Sequence, residues 1–235
     1  MFKWARKTPE KFSAPPTPDA LIRASETRFP MPPGEMGRLE ARRWILNMVA
    51  PGSTGIEIGV FRGHFSGLIC EVARPRKLYL VDPWTKLGET FGWGKAYTNF
   101  DTLTTEAAKT EAIARVSRFP AVDAVFIEDT FPACAAQITG PLDFAYLDAS
   151  HKYGPTLNEL MHLKDMMAPG GLILGDDWAP DPQNQHHGVF LAVQDFTRNS
   201  GWDIVAAGPG AQWALRRRAD PPAPPHKHSF CGQNG

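Results

Sequence analysis

The sequence predicts an α/β fold whose mostly parallel sheet is covered by helices on both faces. Three observations carry this expectation. Short apolar runs alternate with longer segments of helical periodicity, the pattern of repeated strand–helix units. The chain has 235 residues, enough for one sizeable core and crowded for two domains. The chemically distinctive residues fall just after the strands, where open parallel sheets bind ligands.

The elements follow in order. Prolines crowd the start, from Pro9 to Pro33, and the end, from Pro221 to Pro225. Proline lacks a backbone donor and disfavours helix at the residue before it. Residues 1–34 therefore read as a proline-rich extended arm, residues 35–218 as the ordered domain and 219–235 as a loose tail. Glu35–Ala50 reads as one amphipathic helix, with Met36, Leu39, Trp44, Leu46 and Met48 among its apolar residues. Thr54–Gly59, Lys77–Val81, Val122–Ile127, Asp143–Leu147 and Leu172–Leu174 read as strands, and Asp203–Ala206 and Gln212–Arg216 as the last two. Helical periodicity covers Ser66–Ala73, Leu157–Met167 (closed by Pro169-Gly170-Gly171) and Val189–Arg198. No internal repeat is visible.

Composition narrows the function classes. Hydrophobic residues make up 43% and charged residues 21%, which argues against wholesale disorder. Lys+Arg and Asp+Glu are 25 each, so nothing supports a general electrostatic grip on nucleic acid. No apolar run approaches the roughly 18 residues of a membrane span. The basic start, Met1 to Lys7, is followed by no apolar stretch of the secretory kind. The three cysteines, Cys70, Cys134 and Cys231, make no disulfide framework. The expectation is a soluble cytoplasmic protein with no nucleic-acid or membrane partner; the proline arm could wrap a neighbouring copy in a homo-oligomer.

Two clusters carry chemistry. Glu57-Ile58-Gly59-Val60-Phe61-Arg62-Gly63-His64 follows the first strand and opens a helix, whose free N–H groups and dipole favour a polar ligand. The second strand ends in Asp82, a carboxylate able to accept both hydroxyls of a ribose. The third ends in Glu128-Asp129, suited to an adenine amine. Each signal alone is weak. Together, at successive strand ends, they indicate adenosine binding. NAD competes, but its Gly-x-Gly-x-x-Gly fingerprint places the acid some twenty residues later. Here Glu57 comes first, which favours S-adenosylmethionine.

In the second cluster, Asp148-Ala149-Ser150-His151 ends the fourth strand, and Asp176-Asp177-Trp178 ends the fifth. Three carboxylates at adjacent strand ends repel unless neutralised. Oxygen-only ligands suit a hard cation such as Mg²⁺, and His151 could take a proton at neutral pH. The competing reading makes Asp176 or Asp177 a helix cap and His151 a surface residue. The glycine-spaced aromatics Trp84, Phe91, Trp93, Tyr97 and Phe100 read equally as a lid over the site or as core. The loop Ala179–His187 follows the carboxylate pair, a position that suggests substrate contact, although its paired His186 and His187 read more readily as solvated; His226, His228 and Cys231 lack a fourth ligand for zinc.

These motifs resemble those of the class I S-adenosylmethionine-dependent methyltransferases, in the branch that includes macrocin O-methyltransferase and cephalosporin hydroxylase-like proteins. The resemblance spans roughly residues 38–217 and rests on Glu57 through Gly63, Val81-Asp82-Pro83-Trp84, Asp148 through His151, Pro169-Gly170-Gly171 leading to Asp176-Asp177-Trp178, and Gly188-Val189 through Phe196. It implies a Rossmann-like sandwich with a seven-stranded, mostly parallel sheet whose last strand is antiparallel. It implies that Glu57 and Gly59 line the methionine moiety of the cofactor, Asp82 the ribose and Asp129 the adenine, with Arg62 and Gly63 also among the cofactor-binding residues. It further implies Asp148, Asp176 and Asp177 as Mg²⁺ ligands and His151 as the base. Ser150 stands where some relatives carry a catalytic Asp. The expected activity is metal-assisted O-methylation of a small-molecule or sugar hydroxyl. A non-catalytic cofactor-binding accessory protein, or a metal-dependent enzyme of other chemistry, are the rivals.

Overall fold

The computed structural model describes residues 15–218. Its seven strands form one sheet in the order β3-β2-β1-β4-β5-β7-β6. They are β1 (Thr54–Ile58), β2 (Lys77–Val81), β3 (Asp123–Ile127), β4 (Leu142–Leu147), β5 (Met167–Gly175), β6 (Trp202–Gly208) and β7 (Gln212–Arg217). β1 pairs in parallel with β2 and β4, and β7 runs antiparallel to both β5 and β6. The mostly parallel sheet with a reversed last strand is thus as the sequence predicts.

The strands alternate their side chains between two apolar layers. Leu78, Leu80, Phe144, Tyr146, Leu172 and Leu174 face one, with α4 (His64–Val72) and α5 (Thr105–Ser117). Ile56, Ile58, Val81, Ala145, Leu147 and Ile173 face the other, with α6 (Tyr153–Met166) and α7 (His187–Ser200). All five residues of β1 are buried, including the polar Thr54 and Glu57, as expected of a central strand covered on both faces.

Two corrections concern the helices. The extended arm is in part a helix, α1 (Pro18–Arg28). Thr17 caps it by accepting from the Ala20 N–H, and Pro18 occupies its first turn, where a missing N–H is no loss. Ile22 and Phe29 are buried, and Arg115 of α5 donates to Glu26 at 2.7 Å. The arm is thus pinned to its own domain over this stretch; the rest of it, 1–14, and the tail 219–235 lie outside the described residues. The expected helix Glu35–Ala50 divides into α2 (Glu35–Ala41) and α3 (Arg43–Leu46), and the break falls at Arg42.

Register sets the site. Ile58 pairs with Val81 and Leu147, Val81 with Ile127, and Leu147 with Gly175. The next residue of each strand therefore falls in one row across the sheet: Glu128, Asp82, Gly59, Asp148, Asp176. The chain steps outward from β1 to β3 and then returns to the other side of β1 with β4. The row thus straddles the switch point, the place at the carboxyl ends where open α/β sheets bind their ligands.

Candidate active site

Gly59 stands at the centre of the row. Its φ is +91°, and a Cβ there would lie 2.0 Å from the Asp148 carbonyl oxygen. Only glycine fits, because β1 and β4 leave no room between their ends. Asp82 holds the turn that follows. Its carboxylate accepts from the N–H groups of Val60 at 3.0 Å, Phe61 at 2.8 Å and Trp84 at 2.9 Å. Burial pushes its pKa up, against those three N–H donors.

Glu57 lies beneath the turn, 1% exposed, and accepts a hydrogen bond from the Ser66 hydroxyl. Burial pushes its pKa up to about 8. Unfolded, it ionises near 4.5. Between those values the native state keeps a proton that the unfolded chain has released. Its contribution to stability is therefore full below about 4.5 and is lost as pH rises towards about 8. Glu57→Gln is expected to raise stability at pH 8 by roughly 2–4 kcal/mol and to leave it little changed at pH 5. Urea titrations at the two pH values check this; an equal effect at both would show that Glu57 does not titrate this way.

Two residues assigned to the cofactor make packing contacts in the fold. Arg62 is fully buried, and its guanidinium donates to Glu111 at 2.9 Å and to the Phe29 carbonyl at 2.8 Å. It ties the α1 segment to α5. Gly63 begins α4 with φ +72°, and a Cβ there would lie 2.7 Å from the Ala112 Cα, so the glycine allows α4 and α5 to pass closely. At the third strand end the row contains Glu128, not Asp129. Glu128 accepts from Lys109 at 2.6 Å and from the Thr85 N–H at 3.0 Å, and the Lys109 ammonium draws its pKa down to about 2. Asp129, one residue on, pairs with Lys86 at 3.0 Å.

The three acids of the second cluster do come together. What neutralises them was not foreseen. Arg42 bridges Asp148, at 2.5 Å, and Asp176. Arg38, one turn earlier on α2, reaches Asp176 at 2.6 Å. The other Asp176 oxygen accepts from Gln212 at 2.6 Å, and Gln212 is itself held by the Tyr146 hydroxyl at 2.8 Å. The Arg42 guanidinium also lies 4.8 Å from the Phe65 ring centroid, and Phe65 stacks on Tyr146. Both oxygens of Asp176 are thus engaged, and a guanidinium stands where a hard cation would join Asp148 to Asp176. These residues do not fit a resident Mg²⁺, because their counter-charge comes from α2 and the residue that follows it. The i, i+4 spacing of Arg38 and Arg42 was the available signal.

His151 meets Asp177 through Nδ1 and lies 3.8 Å from Asp148. Burial pushes its pKa down, but Asp177 and Asp148 outweigh this and hold it above the ordinary value. His186, read as a solvated loop residue, also turns inward, with Nδ1 3.0 Å from Asp177 Oδ2. His187 points elsewhere, 2.8 Å from the Ala179 carbonyl. The aromatic segment divides: Trp84 and Phe91 are core, whereas Trp93 (44% exposed), Tyr97 (37%) and Phe100 (72%) face outward. Phe61, in the glycine turn, packs edge-on against Phe91 at 4.9 Å and Tyr97 at 6.0 Å.

The reversed seventh strand, the strand order and the glycine turn at the switch point define the fold of the class I methyltransferases. Solved structures share it. The Podospora anserina methyltransferase PaMTH1, bound to S-adenosylhomocysteine, is 16% identical, with a TM-score of 0.55 over 88% of this chain and 89% of its own. TomG, an O-methyltransferase of tomaymycin synthesis from Streptomyces achromogenes, in complex with S-adenosylmethionine, is 13% identical, with a TM-score of 0.55 over 89% and 93%. An O-methyltransferase from Bacillus cereus in complex with S-adenosylhomocysteine is 12% identical, with a TM-score of 0.53 over 88% and 94%. At such identities the likeness is one of fold. The chain itself belongs to the methyltransferase-domain family, whose model matches residues 56–178. No curated protein matches it. Among the described residues no helix is long and apolar enough to cross a membrane.

Proposed function

We propose that this protein is an S-adenosylmethionine-dependent O-methyltransferase acting on a hydroxyl of a small molecule or sugar, of the branch that includes macrocin O-methyltransferase. The observation that carries the reading is the junction of two machineries at one switch point: the Gly59 turn at the end of β1 touches the Asp148 backbone at the end of β4, and His151 follows three residues later.

The cofactor, when bound, supplies the electrophilic methyl group. Glu57 and Gly59 would line its methionine end. Asp82 would meet the ribose through the acceptor capacity that its three backbone donors leave, since a carboxylate offers about four lone-pair sites. Glu128 and Asp129 bound the adenine side. The acceptor hydroxyl would lie over the fourth strand end. Asp177 holds Nδ1 of His151, which leaves Nε2 to take the proton of the acceptor hydroxyl. Arg38 and Arg42 keep the neighbouring carboxylates balanced, and no step passes through a metal. The outward Trp93, Tyr97 and Phe100 offer flat faces on which a sugar or aromatic ring can stack. Much of the acceleration should come from aligning oxygen and methyl.

Calorimetric titration of the purified chain with S-adenosylhomocysteine tests the reading. Micromolar binding is expected, equal with Mg²⁺ and with EDTA. Absence of binding under both conditions overturns it.

A further inference from the structure

We propose that His151, Asp177 and His186 form a binding site for a borderline divalent cation of the zinc type, distinct from the arginine-filled carboxylate pair beside it. One ligand atom from each of the three lies within 4.8 Å of the other two. Asp177 Oδ2 is the hub, 3.0 Å from His186 Nδ1 and in contact with His151 Nδ1. Asp177 is only 8% exposed. His186 Nδ1, a buried atom, makes no hydrogen bond, and the Asp177 Oδ2 that it faces has the His151 ring on its other side. Leaving a buried polar atom unmatched costs about 1–3 kcal/mol, so His186 Nδ1 calls for a partner that it can share with Asp177 and His151. A cation about 2.0–2.1 Å from each donor supplies one.

The donor set selects the ion. Two imidazoles and one carboxylate suit Zn²⁺ and its neighbours, whereas Mg²⁺ prefers oxygen. The three side chains are delivered by ordered segments. Asp177 is the second residue past β5, at φ +64°, and His151 sits in the loop after β4, at φ +54°. The loop bearing His186 is braced: Asp181 accepts from the Gln183 N–H at 3.0 Å and Asn184 from the His186 N–H at 2.8 Å. The imidazoles meet nearly at right angles, 5.0 Å apart. Both histidine side chains keep part of their surface open, at 36% and 27%, so a water or an acceptor oxygen can complete a fourth position. Behind His151, the buried carboxyl of Glu159 lines the same small cavity and has an unpartnered oxygen, in place to orient the ring through a water.

Neutral imidazole has one lone-pair nitrogen. A cation on Nδ1 of His151 leaves Nε2 protonated and unable to act as a base. Cation binding therefore competes with methyl transfer; that consequence rests on the proposed function, whereas binding itself does not.

The test titrates metal-free full-length protein calorimetrically with Zn²⁺ and, separately, with Mg²⁺ and with S-adenosylhomocysteine. One Zn²⁺ per chain is expected, at least about tenfold tighter than Mg²⁺, and weakened at least about tenfold by His186→Gln, since removing even an outer-shell partner loses 10–100-fold. Substituting His226, His228 and Cys231 together should leave it unchanged. X-ray absorption on the zinc-loaded wild type should show two imidazole nitrogens. The proposal is overturned by no Zn²⁺ binding, by undiminished binding in His186→Gln, by loss with the tail substitutions, or by a spectrum without imidazole. Binding of S-adenosylhomocysteine in the same samples reports separately on the methyltransferase reading and on whether each variant is folded.

Discussion

His151→Gln is expected to lower kcat by about 10²–10⁴-fold, the usual contribution of a positioned general base, while S-adenosylhomocysteine binds as before. The expectation follows from where the ring lies. Its Nδ1 is on Asp177, one turn of loop beyond the β4 end that abuts the glycine turn. Glutamine preserves polarity and approximate size but cannot take a proton. Asp177→Asn is the companion variant. It leaves a side chain against Nδ1 but can present an N–H there, which favours the tautomer with its hydrogen on Nε2 and removes the base without removing the ring. Both variants should therefore fall together in kcat and diverge little in cofactor affinity. The assay follows the gain of one CH₂ in product mass across a screen of sugar and phenolic hydroxyls. A His151→Gln enzyme within a few-fold of wild type would remove the ring from the proton path, and the alignment of acceptor and methyl would then have to supply the rate alone.

Much of the fold and part of the site were legible in the sequence, for a physical reason. In a parallel sheet buried on both faces, each strand is an apolar run that stops where the ligand crevice begins. Asp82, Asp148 and Asp176 stood out because a carboxylate follows such a run. Register then converts those local signals into one row, since neighbouring strands end at matched positions. What comes from distant elements was hidden. Arg42 meets Asp148 and Asp176 across more than a hundred residues of chain, and no local pattern reveals that pairing. Helix α5 was missed because alanines at 107, 108, 112 and 114 give it a weak apolar stripe, although its Thr104 cap and helix-favouring residues were readable. Helix α1 was hidden by its prolines, which break helices internally yet suit a first turn. The burial of Arg62 was hidden as well. Its partner, Glu111, sits on the helix that was missed.

The largest stability effect should come from Arg42. Its side chain is 7% exposed and stands against Asp176, whose side chain has no exposure. Removing one member of a buried ionic group leaves the remaining charges uncompensated, which typically costs about 3–5 kcal/mol. Arg42→Ala is thus expected to lower the unfolding free energy by about that much, a drop in Tm of roughly 6–20 °C for a domain of this size. The loss of packing over the Phe65 and Tyr146 rings adds to it, and Arg42→Met separates the two contributions because it keeps much of the stem. The same variants also decide who neutralises the acids. With Arg42 in place, Mg²⁺ should leave Tm unchanged, since the guanidinium already joins Asp148 to Asp176. With Arg42 replaced by alanine, those two carboxylates and Asp177 become an oxygen-only set, and Mg²⁺ should recover part of the lost stability by binding the native state alone. Stabilisation of the wild type by Mg²⁺ would mean that Arg42 yields its place to the ion. A loss below about 1 kcal/mol in Arg42→Ala would mean that Arg38 and Gln212 suffice to hold Asp176.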